Sequence, residues 1–255
     1  MPKLSVIVIA KDEERDLPGC LASVAFADEI VVVDAESTDR TREVAQAAGP
    51  KVRVVVRPWP GHAAQKAFAL SQATGDWVLS LDADERCSQE LQEAIPKLVA
   101  ASDVDGYLVL FQTWAFGRRQ RFGGRWSERH LRLFRREKAT FPAREIHESA
   151  EVAGRIVKVD APILHHAVRT LDELVEKVNR YSTLGALERF KKGKRFTVLS
   201  YFRLPWGFFK RYVLWLGVLD GWDGYVQARL GATYDFLKVA KLRDLERGAD
   251  PALPP

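Results

Sequence analysis

The chain has 255 residues, 47% hydrophobic and 29% charged, enough to bury one large core and to exclude a disordered or fibrous protein. Its two cysteines, Cys20 and Cys87, form no Cys-x-x-Cys pair and have no histidines at metal spacing, which excludes a disulfide framework and predicts a reducing, cytoplasmic setting. The net charge of +5 is unevenly spread: residues 1–105 hold 11 basic and 18 acidic side chains, residues 106–255 hold 28 and 16, so the first part suits a divalent cation and the second suits phosphate, anionic lipid or nucleic acid.

In chain order, residues 4–9, 29–33, 52–56 and 77–81 are short, β-branched and nearly all apolar, which predicts strands covered on both faces. Amphipathic stretches at 13–25, 39–48, 62–73 and 88–101 separate and follow them. This βαβα order predicts a mostly parallel sheet with right-handed crossovers, in which ligands bind beyond the carboxyl ends of the strands. A strand at 107–112 leads into an arginine- and glycine-rich stretch at 116–126, too polar for a regular element, and then into the strand-like HLRLF and apolar segments at 141–147, 156–159 and 163–164. From Leu171 the pattern is helical, first over 172–192 and then through an aromatic-rich region to 245, and ADPALPP predicts a loose tail. The opening run, ended by Asp12, Glu13 and Glu14, predicts no secretory signal. Arg203, Lys210, Arg211 and Asp220 interrupt the most apolar C-terminal stretch, so no membrane-spanning helix is predicted.

LSLDADE, residues 79–85, places Asp82 and Asp84 one residue apart directly after an apolar strand. Their oxygens can converge on a hard ion such as Mg²⁺ or Mn²⁺, which would neutralise a diphosphate; a solvated acidic loop is the alternative. Asp34 ends the strand in VVVDAESTDRT, where an acid accepts hydrogen bonds from ribose hydroxyls or a base N–H. Neither GxGxxG nor GxxxxGK[ST] occurs, so dinucleotide and P-loop readings fail. His165 and His166 follow a short apolar run; one of them would complete a metal site, or stay as a satisfied, half-buried histidine. Among the arginines at 118–136, Arg125, Arg129 and Arg132 are the candidates to clamp a diphosphate or a phosphorylated acceptor. No nucleic-acid module accompanies this patch, and no nucleic-acid partner is expected. Between Arg195 and Tyr225, aromatics interleave with cations, a composition suited to the headgroup region of an anionic bilayer or to a hidden helical interface.

The strings SVIVIAKDEERDLPGCLASV, VVVDAESTDRT, GHAAQKAFALSQATGDWVLSLDADE and REIHESAEVAGRIVKVDAPILHH, in this order and spacing across almost the whole chain, resemble family 2 glycosyltransferases with a GT-A nucleotide-sugar fold. Within them the similarity is to bacterial lipopolysaccharide core enzymes that add β-1,4-linked glucose to heptose. The resemblance implies that Ala10, Lys11, Glu13 and Asp34 surround the uridine of a UDP-sugar, that Lys66 contacts the nucleotide or its phosphates, that Asp82 lies near ribose and metal, and that Asp84 binds the metal. The family's usual acidic motif for the catalytic base is missing at its expected place, where this chain offers His147 and Glu148. Inverting transfer needs one general base to take the acceptor hydroxyl's proton; Glu148 is the candidate, with His147 orienting it or taking the role itself.

These readings predict an α/β GT-A domain at 1–168, a helical, basic and aromatic region at 169–248 and a flexible tail at 249–255. The expected activity is metal-dependent, inverting transfer of glucose from UDP-glucose to an inner-core heptose, by a cytoplasmic protein associated peripherally with the inner face of the inner membrane. A polyprenyl phosphate or other envelope glycan as acceptor, or a non-catalytic nucleotide-sugar or nucleic-acid binding module, are the competing expectations.

Overall fold

A computed structural model describes residues 2–124, 128–142 and 150–249. Its strands are β1 (Leu4–Ala10), β2 (Glu29–Asp34), β3 (Val52–Val56), β4 (Trp77–Asp82), β5 (Glu85–Cys87), β6 (Gly106–Ala115), β7 (Arg118–Arg119), β8 (Arg129–Arg135), β9 (Ala139–Thr140), β10 (Glu151–Val152) and β11 (Ile156–Val168). The α-helices are α1 (Leu17–Ser23), α2 (Thr41–Ala47), α3 (His62–Gln72), α4 (Gln89–Ala100), α5 (Leu171–Lys191), α6 (Arg203–Phe209) and α7 (Gly221–Glu246). Two compact units contain them: Met1–Gln112 with Ser127–His165, and Thr113–Trp126 with His166–Pro255.

In the first unit the four expected strands lie in the order β3-β2-β1-β4, all parallel. The sheet then continues antiparallel through β8 and β6, and β5 pairs antiparallel with β11. Alternation along the strands fills both faces. Val6, Val8, Val32, Leu79 and Leu81 pack with Leu17, Leu21, Leu91 and Ile95 from α1 and α4. Ile7, Ile9, Val31, Val33 and Val78 pack with Ala69 and Ala73, at the end of α3. A sheet covered on both sides has no polar face, which is why β1, β2 and β4 are nearly continuous in apolar residues. β3, at the sheet edge, is not covered in this way and buries none of its residues. Gly75 stands where β4 enters beside β1: a Cβ there would meet Lys3 O and Ser5 N at 2.8 Å. Only glycine allows that approach.

Several elements depart from the sequence pattern. The stretch at 116–126 contains a short strand, β7, because Arg118 and Arg119 pair antiparallel with Ala115 and Trp114 at the end of β6, and β5 forms by pairing with β11. The segments at 156–159 and 163–164 are one strand, β11, because exposed Asp160 pairs with Arg129 at the surface instead of breaking the ladder. The amphipathic stretch at 13–25 is helical only over the seven residues of α1, since residues 12–14 are held by the loop that follows β2.

In the second unit α5 and α7 share a small core of Ala186, Leu242 and Leu245. Lys241 Nζ donates to Asn179 O, Ser182 Oγ and Thr183 Oγ1 at 2.7 to 2.9 Å, tying the two helices together. Between them run a 3₁₀ turn (Val198–Phe202), α6, a π turn (Lys210–Leu214) and a second 3₁₀ turn (Gly217–Asp220). Glycines set this packing: a Cβ on Gly224 would stand 1.9 Å from Gly217 O. Among the described residues no helix is long and apolar enough to cross a membrane.

Candidate active site

The carboxyl ends of β2, β1 and β4 lie side by side, with Ala10 opposite Asp34 on one flank and Ile9 opposite Asp82 on the other. β2 and β3 extend to one side of β1 and β4 to the other, the topological break at which open α/β sheets bind ligands.

Asp34 is fully buried. Its Oδ2 accepts from Ser37 N at 3.1 Å and lies 3.7 Å from Arg42 Nε. Its Oδ1 is buried with no hydrogen-bond partner among the described residues, an acceptor whose desolvation no bond offsets. The loops after β1 and β2 are stitched together beside it. Asp12 N donates to Ser37 Oγ at 2.9 Å, Thr38 N donates to Asp12 Oδ1 at 2.7 Å, and Glu13 N donates to Thr41 Oγ1 at 2.7 Å. Asp12 and Glu36 both hold φ of +55°, a strained conformation that such cross-links maintain. Ala10 O accepts from Ala35 N at 2.8 Å, and Lys11 is exposed.

At the end of β4, Asp82 is held between two cations: Lys66 Nζ at 2.8 Å from Oδ1 and Arg132 at 2.9 Å from Oδ2. Lys66 reaches it from α3, itself buried. Burial alone would raise the Asp82 pKa; the charges of Lys66 and Arg132 instead hold its carboxyl well below the usual carboxylate range. Arg132 also pairs with buried Glu85, whose Oε2 accepts from Asp82 N at 3.0 Å. Burial pushes Glu85 up to about 7, with Arg132 opposing and Asp82 adding to the shift.

The pairing of β5 with β11 sets His165 opposite Glu85 and brings His165 Nε2 to 3.3 Å from Asp84 Oδ2. Burial works against the imidazolium, yet the Asp84 hydrogen bond and the charges of Asp84, Glu85 and Asp82 outweigh it and raise the His165 pKa. Successive residues of a strand point to opposite faces. Accordingly His165 turns its edge to Phe111, whereas His166 stacks on Trp114.

The sequence-derived candidates therefore separate. Asp34, Lys66, Asp82, Asp84 and His165 have side chains in defined interactions at strand ends or on α3. His166 stacks on Trp114. Arg132 grips two carboxylates and Arg129 pairs with Asp160. Arg125, His147 and Glu148 lie outside the described residues. No group of three or more His, Cys, Asp or Glu side chains converges as an ion site among the described residues. Asp84 and His165 offer a divalent ion a donor pair of oxygen and imidazole nitrogen, suited to Mn²⁺ or Mg²⁺. Glu85 was missed at the sequence level. The signal for it was Arg132 inside the apolar HLRLF strand, because an arginine buried there demands an acidic partner.

Residues 5–160 match the family described as Glycosyl transferase family 2. Similar chains include the lipopolysaccharide core biosynthesis glycosyltransferase LpsC of Rhizobium meliloti, 35% identical over 95% of this chain and 93% of that one. An uncharacterised glycosyltransferase of Rickettsia typhi is 35% identical over 96% and 88%. The crystal structure of S. aureus TarS superposes with a TM-score of 0.48 at 17% identity, covering 98% of this chain and 93% of that one.

Proposed function

Because the chain belongs to glycosyl transferase family 2 and is a sugar-transferring enzyme of mixed α/β fold, we propose that it moves glucose from UDP-glucose onto a heptose of the lipopolysaccharide inner core, with inversion, using Mg²⁺ or Mn²⁺. The observation that carries this reading is the Asp84–His165 pair beside Asp82 at the end of β4, across β1 from a buried acceptor, Asp34 Oδ1, that lacks a partner. The name of the Rhizobium meliloti relative supports the acceptor class.

In this reading Asp34 Oδ1 accepts an N–H of the base or a ribose hydroxyl, and Ala10, Lys11 and Glu13 line the uridine. Asp84 and His165 hold the divalent ion, which when bound offsets the charge of the diphosphate. Lys66 and Arg132 fix Asp82 beside the ribose and keep it ionised, so that the loop presents one negative group at a set position. Arg125, or Arg129 released from exposed Asp160, meets the diphosphate or the acceptor phosphates, since Arg132 is held by Asp82 and Glu85. Glu148, oriented by His147 or replaced by it, takes the proton of the acceptor hydroxyl as that oxygen attacks the anomeric carbon and UDP departs. With a lipid-linked acceptor, the enzyme works as a peripheral protein at the inner face of the cytoplasmic membrane.

The test is UDP release from UDP-glucose with Mn²⁺ and truncated core acceptors that end in heptose. Release that depends on the acceptor, with kcat lowered by about 10² in Glu148→Gln, agrees with loss of a general base. No release above background with any heptose acceptor refutes the reading.

A further inference from the structure

The turns between α5 and α7 carry their polarity inside out. Their buried residues are Ser200, Gly207 and Gly217. Their large apolar side chains face outward: Val198 is 74% exposed, Leu199 76%, Phe202 64%, Trp206 57% and Leu219 62%, and Trp222 at the start of α7 is 74% exposed. Scattered exposed hydrophobics are ordinary, but so many in one short segment mark a surface that something else covers.

The charge on the same stretch identifies what covers it. Residues 191–222 contain seven lysines and arginines and one acid, Asp220, which accepts from the Arg121 and Phe122 backbone amides. Lys192 and Arg211 pair with Glu188 and Asp235, leaving a net positive stretch. Lys194 and Arg195 are exposed just before the apolar run, and Lys210 lies 4.4 Å over the ring of Trp215. A second copy of this chain would bring the patch against itself about a two-fold axis, setting like charges together. An anionic lipid leaflet complements it: acyl chains take the apolar side chains, indoles sit at the headgroup level, and lipid phosphates meet the cations.

We infer that residues 198–222 form an interfacial docking face for a bilayer containing anionic lipid, with Lys194 and Arg195 as its electrostatic arm. Each exposed element is short, seven residues in α6 and four or five in the flanking turns, so the face lies in the headgroup region. The inference rests on the peripheral location proposed above and names the surface responsible for it.

The test is flotation of the full chain with phosphatidylcholine vesicles, with and without phosphatidylglycerol, at low and high salt. The protein is expected to float only with the anionic vesicles, and less at high salt. Lys194→Gln with Arg195→Gln should lower the partition coefficient about fivefold per charge, since each basic residue near an anionic surface contributes about 1 kcal/mol. Phe202→Ser with Trp222→Ser should lower it further, while transfer to a water-soluble acceptor stays normal. Equal binding to neutral vesicles, binding unchanged in both double variants, or a salt-resistant dimer that ignores lipid overturns the inference. A protein that releases UDP but does not float refutes this face alone. One that floats without releasing UDP refutes only the proposed transfer.

Discussion

The two units treat similar hydrophobic content in opposite ways. In the first, β-branched side chains alternate across a sheet covered on both faces, and Trp77, Leu79, Leu81 and Leu133 are fully buried. In the second, the shared core is Ala186, Leu242 and Leu245, and the largest apolar side chains point outward. Burial is a property of an element's neighbours, and composition alone does not supply it. A strand between two others and beneath a helix has neighbours on all sides, whereas a short turn packed through glycine and serine has them only on its inner side.

Trp77→Ala and Phe202→Ala test this contrast most strongly. The first should remove about 3–5 kcal/mol of stability by leaving a cavity in the sheet, and the second should stay within about 0.5 kcal/mol in urea denaturation. Equal losses would show that the outward aromatics are packed after all. A comparable effect is expected from Arg132→Met, which leaves Glu85 buried without its cation and should cost about 3 kcal/mol. Adding Glu85→Leu should recover much of that loss; no recovery would mean that Arg132 acts through some other contact.

A smaller, pH-dependent difference follows from the same cluster. A carboxyl whose folded pKa lies above its unfolded value binds more protons in the native state. The Glu85 contribution therefore falls as pH rises from 4.5 to about 7. Asp82 works in the opposite sense, stabilising above its ordinary value of 3.8 and losing that contribution as pH falls towards its depressed pKa. Glu85→Gln should flatten the decline of the thermal midpoint across the upper window relative to wild type, and parallel profiles would contradict the assignment. The mildest expectation concerns the thiols. Burial raises Cys20 well above its ordinary value, with Glu85 and Asp82 adding, and pushes Cys87 up to about 12. Neither should be alkylated by iodoacetamide at neutral pH while the chain is folded, as peptide mass spectrometry can check.

β1, β2 and β4 were legible because strands covered on both faces are nearly continuous in apolar residues, a local signal. β3, at the sheet edge with none of its residues buried, was legible from its β-branched run. Asp34, Asp82 and Asp84 were legible for the complementary reason, as acids placed where such runs stop. β5 was not, because its three residues form a strand only by pairing with β11, more than seventy positions later in the chain. The Asp84–His165 contact and the Glu85–Arg132 pair depend on that register and on β8, so no spacing within one segment encodes them. The aromatic and cationic character of residues 195–225 was plain in the sequence. Its outward orientation was not, because it follows from which small residues, Ser200, Gly207 and Gly217, face inward.

The most direct measurement is calorimetric titration of UDP with Mn²⁺ into wild type, Asp84→Ala and Phe202→Ala. Binding should be lost in Asp84→Ala, with the fold intact by circular dichroism, and kept in Phe202→Ala. Wild-type affinity in Asp84→Ala would contradict the placing of the nucleotide site at the end of β4.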